Sequence, residues 1–114
     1  QEWLEYMNRV DDKFYHYIAS GSDEQELRYL CGELGIRDFF RGIFGSPTPK
    51  IENVGAIMER NLLGTHEVVL IGDSYNDFEA ATKNSIQFLG YNNQSLRSHG
   101  QAYLKSLVQL EFYL

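Results

Sequence analysis

Three short polar stretches directly follow apolar runs in this sequence, and each contains residue types that bind anions or metal ions. Ser20-Gly21-Ser22 follows an aromatic and β-branched run, and Lys50 follows a loop that contains two prolines. Asp73 and Asp77, four positions apart, follow an unbroken apolar run. Hydroxyl and backbone N–H groups bind anions, and carboxylates are hard ligands for divalent cations. These residues therefore indicate binding of an anion and a metal ion.

Each stretch also has an ordinary structural explanation. A serine before a helix is a common N-cap, which would account for Ser20. Lys50 opens a helix, where the helix dipole disfavours a cation, but a solvated surface lysine is equally compatible with this position. Asp73 can end a strand and Asp77 can cap a helix. Taken singly, Ser20, Asp73 and Asp77 favour the structural explanation, and Lys50 leaves both open.

The hydrophobic pattern around these residues alternates between strand and helix. Continuous apolar or aromatic runs predict strands at 14–19, 40–44, 68–71 and 86–89, and the run at 68–71 is typical of a strand buried on both faces. Helical spacing of apolar residues predicts helices at 2–10, 22–35, 51–64 and 78–82, with a final helical segment within 102–114. Ser22 and Gln25 form a capping-box pattern at the start of the second helix.

This alternation predicts an α/β fold in which a parallel sheet carries helices on both faces. In such sheets, ligands bind beyond the carboxyl ends of the strands. The three polar stretches all follow predicted strands, so we expect them to lie at the same edge of the sheet.

Composition narrows the classes of function. The chain has 114 residues, which suits one domain, and 16 acidic against 10 basic residues give a net charge of −6. Without clustered lysine and arginine we expect no nucleic-acid partner, and no apolar run approaches the roughly 20 residues of a membrane span. The single cysteine, Cys31, is predicted to be a small core residue, which is compatible with a reducing compartment, and we expect a cytoplasmic protein.

The three stretches, taken in order, resemble motifs two, three and four of the haloacid dehalogenase superfamily. The resemblance rests on Ile18-Ala19-Ser20-Gly21-Ser22, on Pro49-Lys50, and on Val69-Leu70-Ile71-Gly72-Asp73 with Asp77. It implies a Rossmann-like core and a Mg²⁺-dependent phosphatase that acts on a small phosphorylated metabolite through an aspartyl-phosphate. An aspartate at position 73 favours a phosphatase over the metal-free dehalogenases of the same superfamily.

The resemblance also implies a role for each residue. Ser20 would hydrogen-bond a phosphoryl oxygen with help from the Gly21 backbone, and Lys50 would neutralise charge on the nucleophile and on the transferring phosphoryl group. Asp73 would ligate Mg²⁺, and Asp77 would support that site without ligating the ion itself.

The first motif of the superfamily, a strand that ends in Asp-x-Asp, does not occur in this sequence. In the family it supplies the nucleophile, and its strand lies between those predicted at 14–19 and 68–72. We therefore expect residues 1–114 to be the C-terminal portion of a single core domain, with no cap domain. The sheet should have a gap of about 10 Å, and the chain should be inactive alone.

Three further possibilities stay open at this point. Unpaired backbone on both sides of the gap would favour strand-completing self-association of the chain. The parent could be a sugar phosphomutase of the same superfamily, which returns the phosphoryl group to its substrate. Finally, the chain could be a non-catalytic binding or interaction module that lacks the first motif.

Overall fold

The computed structural model describes residues 14–100 and 102–105. The predicted alternation of strands and helices is confirmed, and with it the α/β fold class. The elements follow in the order β1 (Tyr17–Asp23), α1 (Glu24–Glu33), β2 (Gly42–Ser46), α2 (Lys50–Arg60), β3 (Val69–Gly72), α3 (Tyr75–Lys83), β4 (Gln87–Tyr91) and β5 (Ala102–Leu104), with 3₁₀ turns at Arg37–Phe39, Thr65–Glu67 and Gln94–Leu96.

The strands form two parallel sheets rather than one. β1 pairs with β2, and β4 lies between β3 and β5. Within residues 14–100 and 102–105, no backbone ladder joins β1 to β3. This break between the sheets lies where the sequence predicts that the strand of the first motif is missing.

One helical layer covers both sheets. Helices α2 and α3 contribute Val54, Ala80 and Ala81 to a cluster that includes the buried ring of Phe88 on β4. Ala19 of β1 and Leu70 of β3 pack against the same cluster, although they belong to different sheets. Burial of a ring of this kind contributes roughly 1.5–3 kcal/mol. Shared packing on α2 and α3 therefore holds the two sheets beside each other.

Strand β3 departs from its prediction in burial. All four of its residues are only partly buried, whereas the unbroken apolar run predicts burial on both faces. The reason is that β3 has a neighbouring strand on one side only among the described residues, while the central strand β4 has three buried residues, Phe88, Leu89 and Gly90.

The N-terminus of α1 was also predicted wrongly. The N-cap is Asp23, whose carboxylate accepts a hydrogen bond from the Glu26 N–H at 3.0 Å, and not Ser22. Strand β1 consequently runs through Ser20-Gly21-Ser22 instead of ending before it. Cys31 is 3% exposed, as expected of a core residue.

Near the C-terminus, residues 102–104 form strand β5, which pairs with β4. Residues 106–114, where the sequence predicts the final helical segment, and the predicted helix at 2–10 lie outside the described residues. Among the helices described here, none has the length and apolar character that crossing a membrane requires.

In the part of the chain that the structure describes, β1 and β3 each have one unpaired edge, which predicts self-association. Exposed edges pair readily with other strands, and a charge on an edge strand blocks such pairing. We expect the 114-residue chain to form dimers or larger species in light scattering, and Ile18→Lys on β1 to shift it toward monomer. Leu62→Lys is the matched control, because Leu62 is an equally apolar residue, 90% exposed and outside the strands. Equal association of both variants would contradict pairing through the edge of β1.

Candidate active site at the carboxyl ends of β2 and β3

The loop between β2 and α2 places Lys50 at the first position of the helix. β2 ends at Ser46, and Pro49 is the N-cap of α2. Asn53, one turn into the helix and 6% exposed, donates its side-chain N–H groups to the carbonyl oxygens of Gly45 at 3.3 Å and Thr48 at 3.2 Å. These two hydrogen bonds hold the loop before α2 to the helix, and they thereby fix the backbone position of Lys50.

The loop between β3 and α3 is organised around the buried carboxylate of Asp77. Its Oδ2 accepts hydrogen bonds from the backbone N–H groups of Asp73 at 3.1 Å and Ser74 at 3.2 Å, and from the Ser74 hydroxyl at 2.9 Å. The Ser74 Oγ accepts in return from the Asp77 N–H at 3.2 Å. This reciprocal capping box starts α3 and holds the two residues that follow β3.

The other oxygen of Asp77, Oδ1, pairs with the Lys50 ammonium group. The two side chains are only 10% and 17% exposed. An ion pair this far from solvent is costly to break, because removing one partner leaves a buried charge uncompensated, at about 3–5 kcal/mol. The pair joins the end of β2 to the end of β3, across the two sheets.

Gly72 makes the position of Asp77 possible. A Cβ atom at Gly72 would lie 2.3 Å from the Asp77 Cβ and 2.4 Å from its Cγ, which are distances that packed atoms do not tolerate. Gly72 belongs to the motif that ends in Asp73, but the motif alone predicts no role for it. The signal that could have found it is a glycine directly before Asp73, where backbone and side chain must come close together.

Asp73 differs from Asp77 in that its carboxylate is available. Both of its backbone groups are bound: the N–H by Asp77, and the carbonyl by the Asn93 side-chain N–H at 2.9 Å. The side chain is exposed, and among the described residues it forms no hydrogen bond or ion pair. A free carboxylate on a fixed backbone is a suitable ligand for a hard cation.

The donor set fits a magnesium ion that draws few ligands from this part of the chain. Across residues 14–100 and 102–105, no three or more His, Cys, Asp or Glu side chains are placed so that they could hold a metal ion together. Mg²⁺ keeps several water molecules and is usually bound by one or two carboxylates. Asp73 can supply one of these, while Asp77 is already engaged by Lys50 and Ser74.

Ser20 and Gly21 are not joined to this group. The Ser20 hydroxyl accepts a hydrogen bond from the Ser22 N–H at 3.1 Å, and no hydrogen bond in the described part of the chain connects it to Lys50, Asp73 or Asp77. A Cβ atom at Gly21 would meet nothing within 4 Å, so packing does not require glycine there. The structure thus brings together Lys50, Asp73 and Asp77, and leaves the predicted phosphate-binding serine on β1.

His16, directly before β1, packs against an aromatic side chain. Its ring lies against Phe39, with ring centroids 4.5 Å apart. Burial lowers the pKa of His16 below its usual value, despite the opposing effect of a backbone hydrogen bond at Phe14.

Replacement of Gly72 by alanine tests the close packing beneath Asp77. We expect Gly72→Ala to lower the free energy of unfolding by about 1–3 kcal/mol, because the added methyl displaces the Asp77 side chain. Gly21→Ala is the matched control, since its methyl enters open space and should change stability by less than about 0.5 kcal/mol. Urea unfolding measures both; equal stability of the two variants would show that Asp77 does not depend on Gly72.

Solved structures with the same fold include proteins described as hydrolases and as a predicted phosphatase. A haloacid dehalogenase-like hydrolase from Streptococcus pneumoniae has a TM-score of 0.86 and 20% identity, covering 96% of this chain and 57% of that protein. A predicted phosphatase from Clostridium acetobutylicum has a TM-score of 0.84 and 16% identity, covering 96% and 56%. A haloacid dehalogenase-type hydrolase from Bacillus subtilis, described as bound to magnesium, has a TM-score of 0.81 and 18% identity, covering 97% and 52%.

At these identities the likeness shows the fold alone, and the chain spans between 52% and 57% of the length of these three proteins. No curated protein matches the sequence. The family described as haloacid dehalogenase-like hydrolase matches residues 1–91, a segment that includes Lys50, Asp73 and Asp77. Because this match takes in most of the chain, the chain belongs to the haloacid dehalogenase-like hydrolase family.

Proposed function

We propose that this chain carries the metal-binding and charge-neutralising part of a Mg²⁺-dependent phosphatase that acts on a small phosphomonoester. The observation that carries the proposal is the unit formed by Lys50, Asp77 and the Asp73 backbone, which leaves the Asp73 carboxylate exposed. A purely structural capping arrangement would not require a lysine from another loop to be held beside the carboxylates. The family assignment and the magnesium described for the Bacillus subtilis structure support the same activity.

Each residue of the unit has a distinct task in this proposal. Asp73 would hold the cation, which when bound supplies positive charge opposite the phosphoryl oxygens. Lys50 uses one of its three N–H donors for Asp77, so the others can face an anionic oxygen. Asp77 keeps both groups in place. Phosphoryl transfer depends mainly on such prearranged charges.

Ser20 and Gly21 would contribute from the end of β1. The Ser20 hydroxyl is engaged only by the nearby Ser22 N–H in the described residues, so it retains a proton to donate to a phosphoryl oxygen. The Gly21 N–H would add a second donor.

The nucleophile would come from a strand that enters between β1 and β3. The family resemblance places an Asp-x-Asp motif on that strand, and this sequence contains none. In the reaction, an aspartate oxygen would attack phosphorus as the ester oxygen leaves with a proton, and water would then hydrolyse the aspartyl-phosphate. We therefore infer that residues 1–114 alone do not turn over substrate, and that a second copy could complete the sheet but could not supply the nucleophile.

The absence of Asp-x-Asp from the sequence favours one further candidate, a non-catalytic module that binds a phosphorylated ligand or a partner strand. Under either function we infer a cytoplasmic location and a metabolite, rather than nucleic acid or membrane, as the ligand. The free, buried thiol of Cys31 is compatible with that compartment.

Substitutions in protein expressed from the whole open reading frame test the activity. We expect Mg²⁺-dependent phosphate release from p-nitrophenyl phosphate, reduced by about 100-fold or more in Asp73→Asn and by about 100- to 1000-fold in Lys50→Met. The 114-residue chain should show no turnover. Asp38→Asn and Lys83→Met are the matched controls, because both residues are exposed and lie outside the unit.

The outcome separates the two candidate functions. Activity that survives Asp73→Asn, or that needs no added metal, would contradict the proposed metal site. Whole protein that binds phosphate esters but releases no phosphate from any of them would favour the non-catalytic module. Lys50→Arg retains a cation for Asp77, so it shows whether a loss in Lys50→Met arises from chemistry or from unfolding.

A further inference from the structure

We propose that Asn93 is a positioning residue for Asp73: its side-chain amide fixes the peptide group that carries the metal-binding carboxylate. The proposal rests on the function proposed above. Asn93 stands outside the stretches that the sequence singles out, and it belongs to the loop after β4.

The sheet register brings Asn93 to Asp73. Strands β3 and β4 are parallel, and Gly72 is the register partner of Gly90, so the segments that follow them emerge side by side. Asn92 has a φ of 58°, a left-handed conformation that asparagine tolerates better than most residues. The chain thus turns immediately after β4, and the Asn93 Nδ2 donates to the Asp73 carbonyl oxygen at 2.9 Å.

Asn93 and Asp77 hold the same peptide group from its two ends. The carbonyl of Asp73 and the N–H of Ser74 belong to one planar unit. Asn93 donates to the carbonyl at 2.9 Å, and Asp77 accepts from the N–H at 3.2 Å. Asp77 also accepts from the Asp73 N–H. The Asp73 backbone therefore has little freedom, and only its side-chain torsions remain to adjust to a cation.

The orientation of the Asn93 amide is determined by its neighbours. Its Oδ1 accepts from the Ser95 N–H at 3.2 Å and from the Ser95 hydroxyl at 2.8 Å. A backbone N–H can only donate and a backbone carbonyl can only accept, so the amide oxygen must face Ser95 and the amide nitrogen must face Asp73. An aspartate at position 93 would satisfy Ser95 but would place a negative oxygen against the Asp73 carbonyl.

The backbone of Asn93 is held as well. Its N–H donates to the Tyr103 hydroxyl oxygen at 3.1 Å, and Tyr103 belongs to β5. Gly90 allows this contact, since a Cβ atom there would lie 3.1 Å from the Tyr103 ring. Asn93 thus links β5 and the loop after β4 to Asp73, which a mobile surface amide would not do.

Amide hydrogen exchange and metal titration of the whole protein test the proposal together. Without metal, we expect Asn93→Ala and Asn93→Asp to accelerate exchange of the Ser74 amide by roughly two- to tenfold. Exchange at Leu89, fully buried in the central strand, reports global opening, and it should change less than exchange at Ser74. The dissociation constant for Mg²⁺ should rise by about 10- to 100-fold, while the KM for substrate at saturating Mg²⁺ stays the same.

Ser95→Ala is the control, because it removes the bond from the Ser95 hydroxyl but leaves the donor to Asp73 in place. Wild-type protein that binds Mg²⁺ with the same affinity as Asn93→Ala would overturn the role of Asn93 and leave the proposed function standing. Wild-type protein that binds no Mg²⁺ would overturn the metal site of the proposed function, and with it the role of Asn93 toward a cation. Equal acceleration at Ser74 and Leu89 would reduce Asn93 to a residue of general stability and overturn its positioning role.

Discussion

The carboxylate of Asp77 is the group on which the arrangement of this site depends. A buried carboxylate is stable only when charge and hydrogen bonds compensate for lost hydration. Here Lys50 supplies the charge, and Asp73 and Ser74 supply the hydrogen bonds. The same compensation that makes burial of Asp77 tolerable therefore fixes the ammonium group and the free carboxylate relative to each other.

Because of this dependence, a structural role and a chemical role do not exclude each other in these residues. Asp77 does cap α3, as its ordinary structural explanation holds, and by doing so it also pins the backbone of Asp73. Lys50 opens a helix, where the helix dipole disfavours a cation, and Asp77 offsets that cost. A cap that served helix stability alone would not need a partner from a different loop.

The sequence predicted this site in part, because local spacing determines part of it. Asp73 and Asp77 are four residues apart across a strand end and a helix start, so their proximity follows from the chain itself. The pairing of Lys50 with Asp77 could not be predicted, since it joins elements 27 residues apart and depends on how the sheets meet. The N-cap of α1 is Asp23 and not the predicted Ser22 for a similar reason. Both residue types cap helices well, and strand pairing decides where the helix begins. The partial burial of β3 likewise depends on which strands pair with it, and the local sequence does not determine that pairing.

Because no backbone ladder joins β1 to β3 in the described residues, the ion pair also affects the spacing of the loops at the carboxyl edge. In a continuous parallel sheet, backbone ladders fix the spacing of the loops at the carboxyl edge. Here Lys50 follows one sheet and Asp73 follows the other, and their spacing depends on the Lys50–Asp77 pair and on the packing of α2 against α3. A strand seated between β1 and β3 would add a backbone link to this side-chain link. The element that brings the nucleophile in the proposed enzyme would thus also set the distance between the two charges that the reaction uses.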